Sequence, residues 1–188
     1  MKIFILSNEL FNLEDPSFKV ELSEEGKINS QNKIKNILSE LKIDVIYSSP
    51  FIRTLQTVFP YASSSKKNIK IDYSLSEVIK DKKFIDFPDL NLTVLEKKNF
   101  LIDKNYNSLW NPKTLKYKER NMQIKHRVKM FLSNLDIKYE KKKINILICS
   151  HINICEKILN ILSKNEIEKP YELGKICSFN DGKFEILN

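Results

Sequence analysis

The sequence holds three glycines in 188 residues, so neither a G-x-G-x-x-G turn nor a Gly-rich phosphate loop can be built from it. Its three cysteines, Cys149, Cys155 and Cys177, form no C-x-x-C pair, and any disulfide scheme leaves one over. That pattern argues against a cysteine-ligated zinc site and suits free buried thiols in a reducing compartment. Long apolar runs are missing as well. The N-terminal run around Ile3–Leu6 is too short for a signal-peptide core or a membrane span, and no later stretch reaches eighteen apolar residues. A soluble, cytoplasmic protein without a membrane partner is therefore expected. Acidic charge is in deficit, giving a formal net charge of +8. The lysines sit in short clusters (Lys66-Lys67, Lys82-Lys83, Lys97-Lys98, Lys141–Lys143) rather than one block, which reads as solvated surface before it reads as a nucleic-acid face.

What is present is a regular alternation. Hydrophobic residues make up 41% and charged residues 30%, the balance of a globular chain, and the length fits one domain over residues 1–188. Ile3–Leu6, Ile43–Tyr47, Ile69–Ile71 and Ile144–Cys149 read as short buried strands, the last apolar enough to be covered on both faces. Ser23 can cap a helix whose first turn carries Glu24 and Glu25, and Ile34, Ile37, Leu38 and Leu41 give that helix one apolar face. Pro50 fits the first turn of a second helix, running to about Tyr61. Further helices are expected over Asn121–Leu135 and around Ile154–Leu162, and a strand pair over Lys175–Leu187 turning at Asn180-Asp181-Gly182. The periodicity fails between about 78 and 117, where Pro88, Trp110 and Pro112 interrupt it, so an irregular insertion or lid is expected there. Strands alternating with helices predict an α/β fold of three layers, with a mostly parallel central sheet and helices on both faces.

Ligands of such sheets bind beyond the carboxyl ends of the strands, which directs attention to Ser7-Asn8, Ser48–Arg53, Ser74–Glu77 and Ser150-His151. Arg53, Glu77 and His151 form a cationic and acid–base set suited to a phosphoryl group. A lone Arg at a helix start is more often a surface ion pair and a lone Glu more often solvated, whereas an imidazole directly after a buried strand faces the ligand edge. His126, beside Arg127 on a helix, reads as an exposed or ion-paired helical residue. Cys149 could share the face of His151, but the Cys-x₅-Arg of cysteine phosphatases is absent, since Cys155 stands six residues on.

The order of these segments resembles the histidine phosphatase (phosphoglycerate mutase-like) superfamily. Leu22-Ser-Glu-Glu-Gly26 looks like its Leu-Thr-x-x-Gly helix start. Tyr47-Ser-Ser-Pro-Phe-Ile-Arg53-Thr-Leu-Gln-Thr57 resembles its Ser-Pro-x-x-Arg-x-x-x-Thr block, the most specific of the matches. Leu75-Ser-Glu77 resembles its Leu-x-Glu. Glu119–Leu132 looks like its Glu-Ser…Arg-Val helix with Arg127-Val128 in register, and Ile146-Leu-Ile-Cys-Ser-His151 looks like its Val-x-Ser-His block. The resemblance implies a phosphoglycerate mutase-like fold and a phosphoryl-transfer site, and no cofactor is expected. In it Arg53 and His151 bind phosphoryl oxygens and Glu77 is the general acid. It also implies a nucleophilic His after the first strand, in an Arg-His-Gly block. Here that block reads Ser7-Asn8-Glu9.

Each replacement acts in one direction. The Asn8 amide nitrogen is delocalised into its carbonyl and cannot attack phosphorus as imidazole does. Loss of the nucleophile in another covalent enzyme, subtilisin, lowers turnover by roughly 10⁶. Ser7 removes a bidentate cation, and Glu9 brings a negative charge to the phosphate position if its side chain turns inward, an orientation the spacing leaves open. The resulting expectation is a catalytically impaired pseudophosphatase that binds a phosphorylated small molecule or protein partner. The alternatives are a weak phosphomonoester hydrolase with a non-covalent mechanism and, last, a basic nucleic-acid-associated module.

Overall fold

Ile3–Leu6 and Ile146–Cys149 carry no polar side chain other than a thiol, and strands of that composition belong in the middle of a covered sheet. A computed structural model describes residues 1–12, 19–78, 100–110, 119–164, 171–180 and 182–188 and places both runs there. The strands are β1 (Lys2–Ser7), β2 (Val45–Ser48), β3 (Ile69–Ile71), β4 (Asn145–Ser150), β5 (Ile176–Asn180) and β6 (Lys183–Ile186). Their order across the sheet is β3-β2-β4-β1-β5-β6. The first four lie parallel, while β5 runs antiparallel to β1, and β6 antiparallel to β5.

Register sorts the side chains into two cores. Ile146 stands opposite Ile3 and Val45, and Leu147 opposite Phe4 and Ile46, so successive residues of three neighbouring strands point to the same face together. Phe4, Leu6, Ile46, Leu147 and Cys149 pack with Ile34, Leu38, Leu55 and Val58. Ile3, Ile5, Tyr47, Ile146 and Ile148 pack on the other side with Val128, Phe131, Leu135, Ile154 and Ile158. The architecture is thus helix layer, sheet, helix layer, with an antiparallel edge added to the expected parallel sheet.

The first helical segment begins as its sequence dictates. Ser23 Oγ accepts the Gly26 N–H at 3.1 Å, with Glu24 and Glu25 in the first turn of α1 (Glu24–Asn29). A π-helical turn (Ser30–Ile34) joins α1 to α2 (Lys35–Glu40), and Ile34 and Leu38 are buried from it. Next, α3 spans Ile52–Ser64. It starts later than Pro50 suggests, because residues 49–51 form their own turn. Ser49 Oγ accepts the Phe51 N–H at 3.4 Å, and Thr54 Oγ1 donates to the Phe51 carbonyl at 2.7 Å. The layer on the other face consists of α4 (Asn121–Lys138) and α5 (Ile152–Ser163). No helix among the described residues is long and apolar enough to cross a membrane.

Part of the irregular 78–117 stretch is described. Residues 100–110 lie along the free edge of β3: Ile69 N–H donates to the Leu101 carbonyl at 2.8 Å, and Asp103 N–H donates to that of Ile69 at 2.9 Å. Phe100 enters the core edge-on to Phe59, and the Tyr106 hydroxyl donates to Asp72 Oδ2 at 2.5 Å. Residues 79–99 and 111–118, where the expected lid mostly falls, lie outside the described residues.

Gly26 is required by space rather than by backbone angle. A Cβ there would stand 2.3 Å from the Leu10 carbonyl oxygen, which also accepts the Ser23 N–H at 2.9 Å. Gly26→Ala must push the segment after β1 off the helix, and is expected to lower unfolding free energy by about 1–3 kcal/mol in urea titrations.

Candidate functional site

Three neighbouring parallel strands end together, and their next residues make the site. Ser7 and Ser150 are partners in the last register position of β1 and β4, and the Asn8 N–H donates to the Ser150 carbonyl at 2.8 Å. Asn8 and His151 therefore follow adjacent strand ends. Ser49 follows β2, its N–H held by the Cys149 carbonyl at 3.0 Å. Arg53 comes from the first turn of α3, and Glu77 from the segment after the short 3₁₀ turn Tyr73–Leu75. The structure brings Asn8, Arg53, Glu77 and His151 to one end of the sheet; side-chain contacts tie His151 to Ser49 and Glu77. Asn8, Ser49, Arg53 and His151 are all buried.

His151 is held from several sides. Its Nε2 lies 2.8 Å from Ser49 Oγ, its Nδ1 lies 3.6 Å from Glu77 Oε2, and Phe51 meets its ring edge-on at 4.7 Å. Burial above all, then the positive charges of Arg53 and Arg127, push its pKa well below the usual imidazole range. A neutral ring carries one N–H, and these neighbours suit a proton on Nδ1 facing the carboxylate, with the Nε2 lone pair toward the serine. Glu77 moves the other way. Burial raises its pKa, against the Val78 N–H, Arg53, Asn153 and Arg127, which favour the carboxylate. The Arg53 guanidinium carbon stands 4.5 Å from the Phe11 ring centroid and 4.6 Å from that of Phe51, both within cation–π range.

Ser7, Asn8 and Glu9 each have a partner. Ser7 Oγ donates to the Glu172 carbonyl at 2.5 Å and accepts the Lys175 N–H at 3.2 Å, so its side chain serves the 172–175 loop. Asn8 Nδ2 donates to the Glu9 carbonyl at 2.9 Å. Glu9 Oε2 accepts from Asn29 Nδ2 at 3.3 Å and from Leu10 N–H at 3.4 Å. Its carboxylate rests on Gly174, which has φ +67° and no room for a Cβ: that atom would stand 2.2 Å from Glu9 Oε1. The Glu9 N–H donates to Thr57 Oγ1 at 3.0 Å, and that hydroxyl donates to the Arg53 carbonyl at 2.7 Å.

Arg127 was visible in the sequence only as part of a helix motif; the structure gives it a larger part. It is fully buried, pairs with Glu119 through Nε (3.0 Å) and Nη2 (2.9 Å), and donates to the carbonyls of Ser74 and Ser76 just before Glu77. Ser49 falls within the Ser48–Arg53 segment, but its sequence signal is only its place before Pro50 in the Arg53 block, with no role of its own. Cys149 shares the His151 side of β4, but its Sγ donates to the Thr54 carbonyl at 3.4 Å and burial pushes its pKa up, so it is no thiolate nucleophile. Cys155 and Cys177 are likewise free and buried. His126 is exposed and meets Trp110 edge-on at 6.0 Å. Among the described residues no cluster of His, Cys, Asp and Glu is arranged to hold a metal ion.

Two outcomes follow from this geometry. Arg127→Met strands the buried Glu119 carboxylate and two carbonyls, and is expected to destabilise the fold by about 3–5 kcal/mol in chemical denaturation. Adding Glu119→Gln should recover part of that loss. For His151, the unfolded chain takes up a proton near 6.5 while the folded chain resists it, so the contribution is present above that pH and is lost as pH falls. Glu77 has the opposite sign, since the folded state protonates first and gains stability as pH falls toward 4.5. Unfolding midpoints between pH 7 and 5.5 should fall less for His151→Gln than for the unaltered protein, the difference in slope reaching at most ~1.4 kcal/mol per pH unit.

The same fold recurs in solved phosphatase structures. The ecdysone phosphate phosphatase of Bombix mori, in complex with tungstate, superposes with a TM-score of 0.71 at 13% identity, covering 100% of this chain and 92% of that one. A putative alpha-ribazole-5'-P phosphatase from Escherichia coli gives 0.68 at 17% identity, with 100% and 94% covered. A mycobacterial glucosyl-3-phosphoglycerate phosphatase with inorganic phosphate gives 0.69 at 13%, with 100% and 95% covered. No curated protein matches the chain by sequence. The family model of the histidine phosphatase superfamily (branch 1) matches residues 17–180, from Ser17 onward and thus downstream of Ser7-Asn8-Glu9. With most of its length matched and its sheet and helices in the same arrangement, the chain belongs to the histidine phosphatase superfamily.

Proposed function

We propose that this chain is a pseudophosphatase: it binds a phosphoryl-type oxyanion, on a small molecule or a protein partner, without running the phosphohistidine cycle. The observation that carries this reading is Asn8. It follows β1, is hydrogen-bonded through its backbone to Ser150, and stands beside His151, where the family's reaction needs a nucleophilic imidazole. Its amide nitrogen is a donor to the Glu9 carbonyl and has no lone pair to offer phosphorus. The Ser7 hydroxyl, in place of a guanidinium, is engaged with the 172–175 loop. Arg53 and His151 supply the retained oxyanion-facing half, and a cytoplasmic setting suits the three free thiols.

The alternative, phosphomonoester hydrolysis by direct water attack, has one feature in its favour: burial raises the Glu77 pKa, as a general acid requires. The two readings separate in solution. Titration with tungstate or inorganic phosphate should show saturable binding, weakened about 10- to 100-fold in Arg53→Met by loss of a charge-assisted hydrogen bond. Turnover of an aryl phosphate by the unaltered protein should stay near background, beside the double substitution Ser7→Arg, Asn8→His as the attempted restoration. Robust wild-type turnover abolished by His151→Ala would sink the pseudophosphatase reading.

A further inference from the structure

With no imidazole at position 8, His151 is left facing a different nucleophile. Ser49 Oγ is 2.8 Å from His151 Nε2, and across the ring Nδ1 is 3.6 Å from Glu77 Oε2. Ser49 Oγ already accepts the Phe51 N–H at 3.4 Å, which occupies one of its lone pairs and leaves its proton to point at the imidazole. The ring is fixed edge-on by Phe51, and its own carbonyl accepts the N–H groups of Ile154 and Cys155 at 3.0 and 2.8 Å. Ser49 cannot swing far either, because its carbonyl accepts the Thr54 hydroxyl at 3.0 Å and its N–H is held by Cys149. Arg53, four residues along, places a positive charge close enough to act on both His151 and Glu77. A hydroxyl, a neutral imidazole acceptor and a carboxylate in sequence are what activates a serine, and the guanidinium adds attraction for an electrophile bearing anionic oxygens.

We propose that Ser49 is a phosphoryl acceptor, activated by His151 with Glu77 as positioning residue, and that it captures one phosphoryl group per chain from a donor with a good leaving group. The inference rests on the reading above that oxyanions bind at this end of the sheet while the phosphohistidine route is lost. In the step, the Ser49 O–H proton passes to His151 Nε2, and the oxygen electron pair forms a bond to phosphorus. The bond from phosphorus to the aryl oxygen breaks, and that oxygen leaves with the pair as a phenolate. The products are a phosphoserine and a His151 imidazolium facing Glu77. A phosphohistidine is a labile phosphoramidate, whereas a serine phosphate is a phosphomonoester, among the slowest bonds to hydrolyse unaided. Capture at Ser49 therefore ends in a modified chain rather than a cycle, in keeping with a protein that binds and does not turn over.

The test uses the full chain and 4-nitrophenyl phosphate, following nitrophenolate release, intact mass and the modified peptide. The expected result is release approaching one equivalent per chain, then a stop, with an acid-stable phosphoryl group on Ser49. Ser49→Ala should abolish it, His151→Gln should slow it about 100-fold or more, and Glu77→Gln should slow it less while shifting its pH profile. Peptide mapping of the unaltered protein decides the matter even if a variant folds poorly. An acid-labile label, a label on another residue, or no label on protein that binds tungstate overturns the Ser49 assignment and leaves the binding reading intact. Absence of both binding and label overturns both. Continuous release with Ser49 labelled in the steady state overturns the pseudophosphatase reading and keeps Ser49 as acceptor.

Discussion

The parallel pairing of β1 with β4, from Lys2–Asn145 to Ser7–Ser150, is the constraint on which the site depends. Strand pairing has a side-chain period of two, and a slip of one residue would turn Ile3, Ile5, Ile146 and Ile148 out of their core. The two cores therefore fix where each strand stops, and so set Asn8 and His151 side by side. The same register carried across to β2 brings Ser49 to the third position. Chemistry at this end of the sheet is arranged by apolar packing some distance beneath it.

Around that point the protein buries an unusual amount of charge. Arg53 and Arg127 are both fully buried, and isolated charges there would be very costly. Arg127 is matched by Glu119 and two carbonyls, which converts it into a clamp on the loop that delivers Glu77. Arg53 lies against aromatic rings near His151. Burial first, then the two guanidinium groups, lower the imidazole pKa, and a neutral imidazole can accept the Ser49 hydroxyl through Nε2.

Ser7, Asn8 and Glu9 are each held by local contacts. Ser7 ties down the 172–175 loop, and the carboxylate of Glu9 takes the space that Gly174 leaves open. Glu9 is thereby directed at Asn29 and Leu10, an orientation that composition and spacing had left open. In the structure this block is a set of local contacts to the 172–175 loop, Asn29 and Leu10.

Much of the scaffold was legible in the chain because local signals and burial agree. The Ser23 cap, the three- and four-residue spacing of Ile34 and Leu38, the β3 bounds and the apolar runs of β1 and β4 each follow from periodicity and capping. The start of α3 did not, because side-chain hydrogen bonds of Ser49 and Thr54, not the ring of Pro50, decide it. Nor did the docking of residues 100–110 on β3, which has no period of its own and is held by backbone pairing to a distant strand. Arg53, Glu77 and His151 could be singled out as strand-end residues of the right chemistry. By itself the sequence determined the layered α/β fold, the strand ends that face a ligand and the absence of an imidazole after the first strand. Tertiary structure alone decided that Ser49 lies against His151, that Arg127 holds the Glu77 loop, and that Glu9 turns toward Gly174. These contacts join residues from about 50 to more than 160 positions apart, and only the sheet register, set by long-range apolar packing, brings such groups within hydrogen-bond reach.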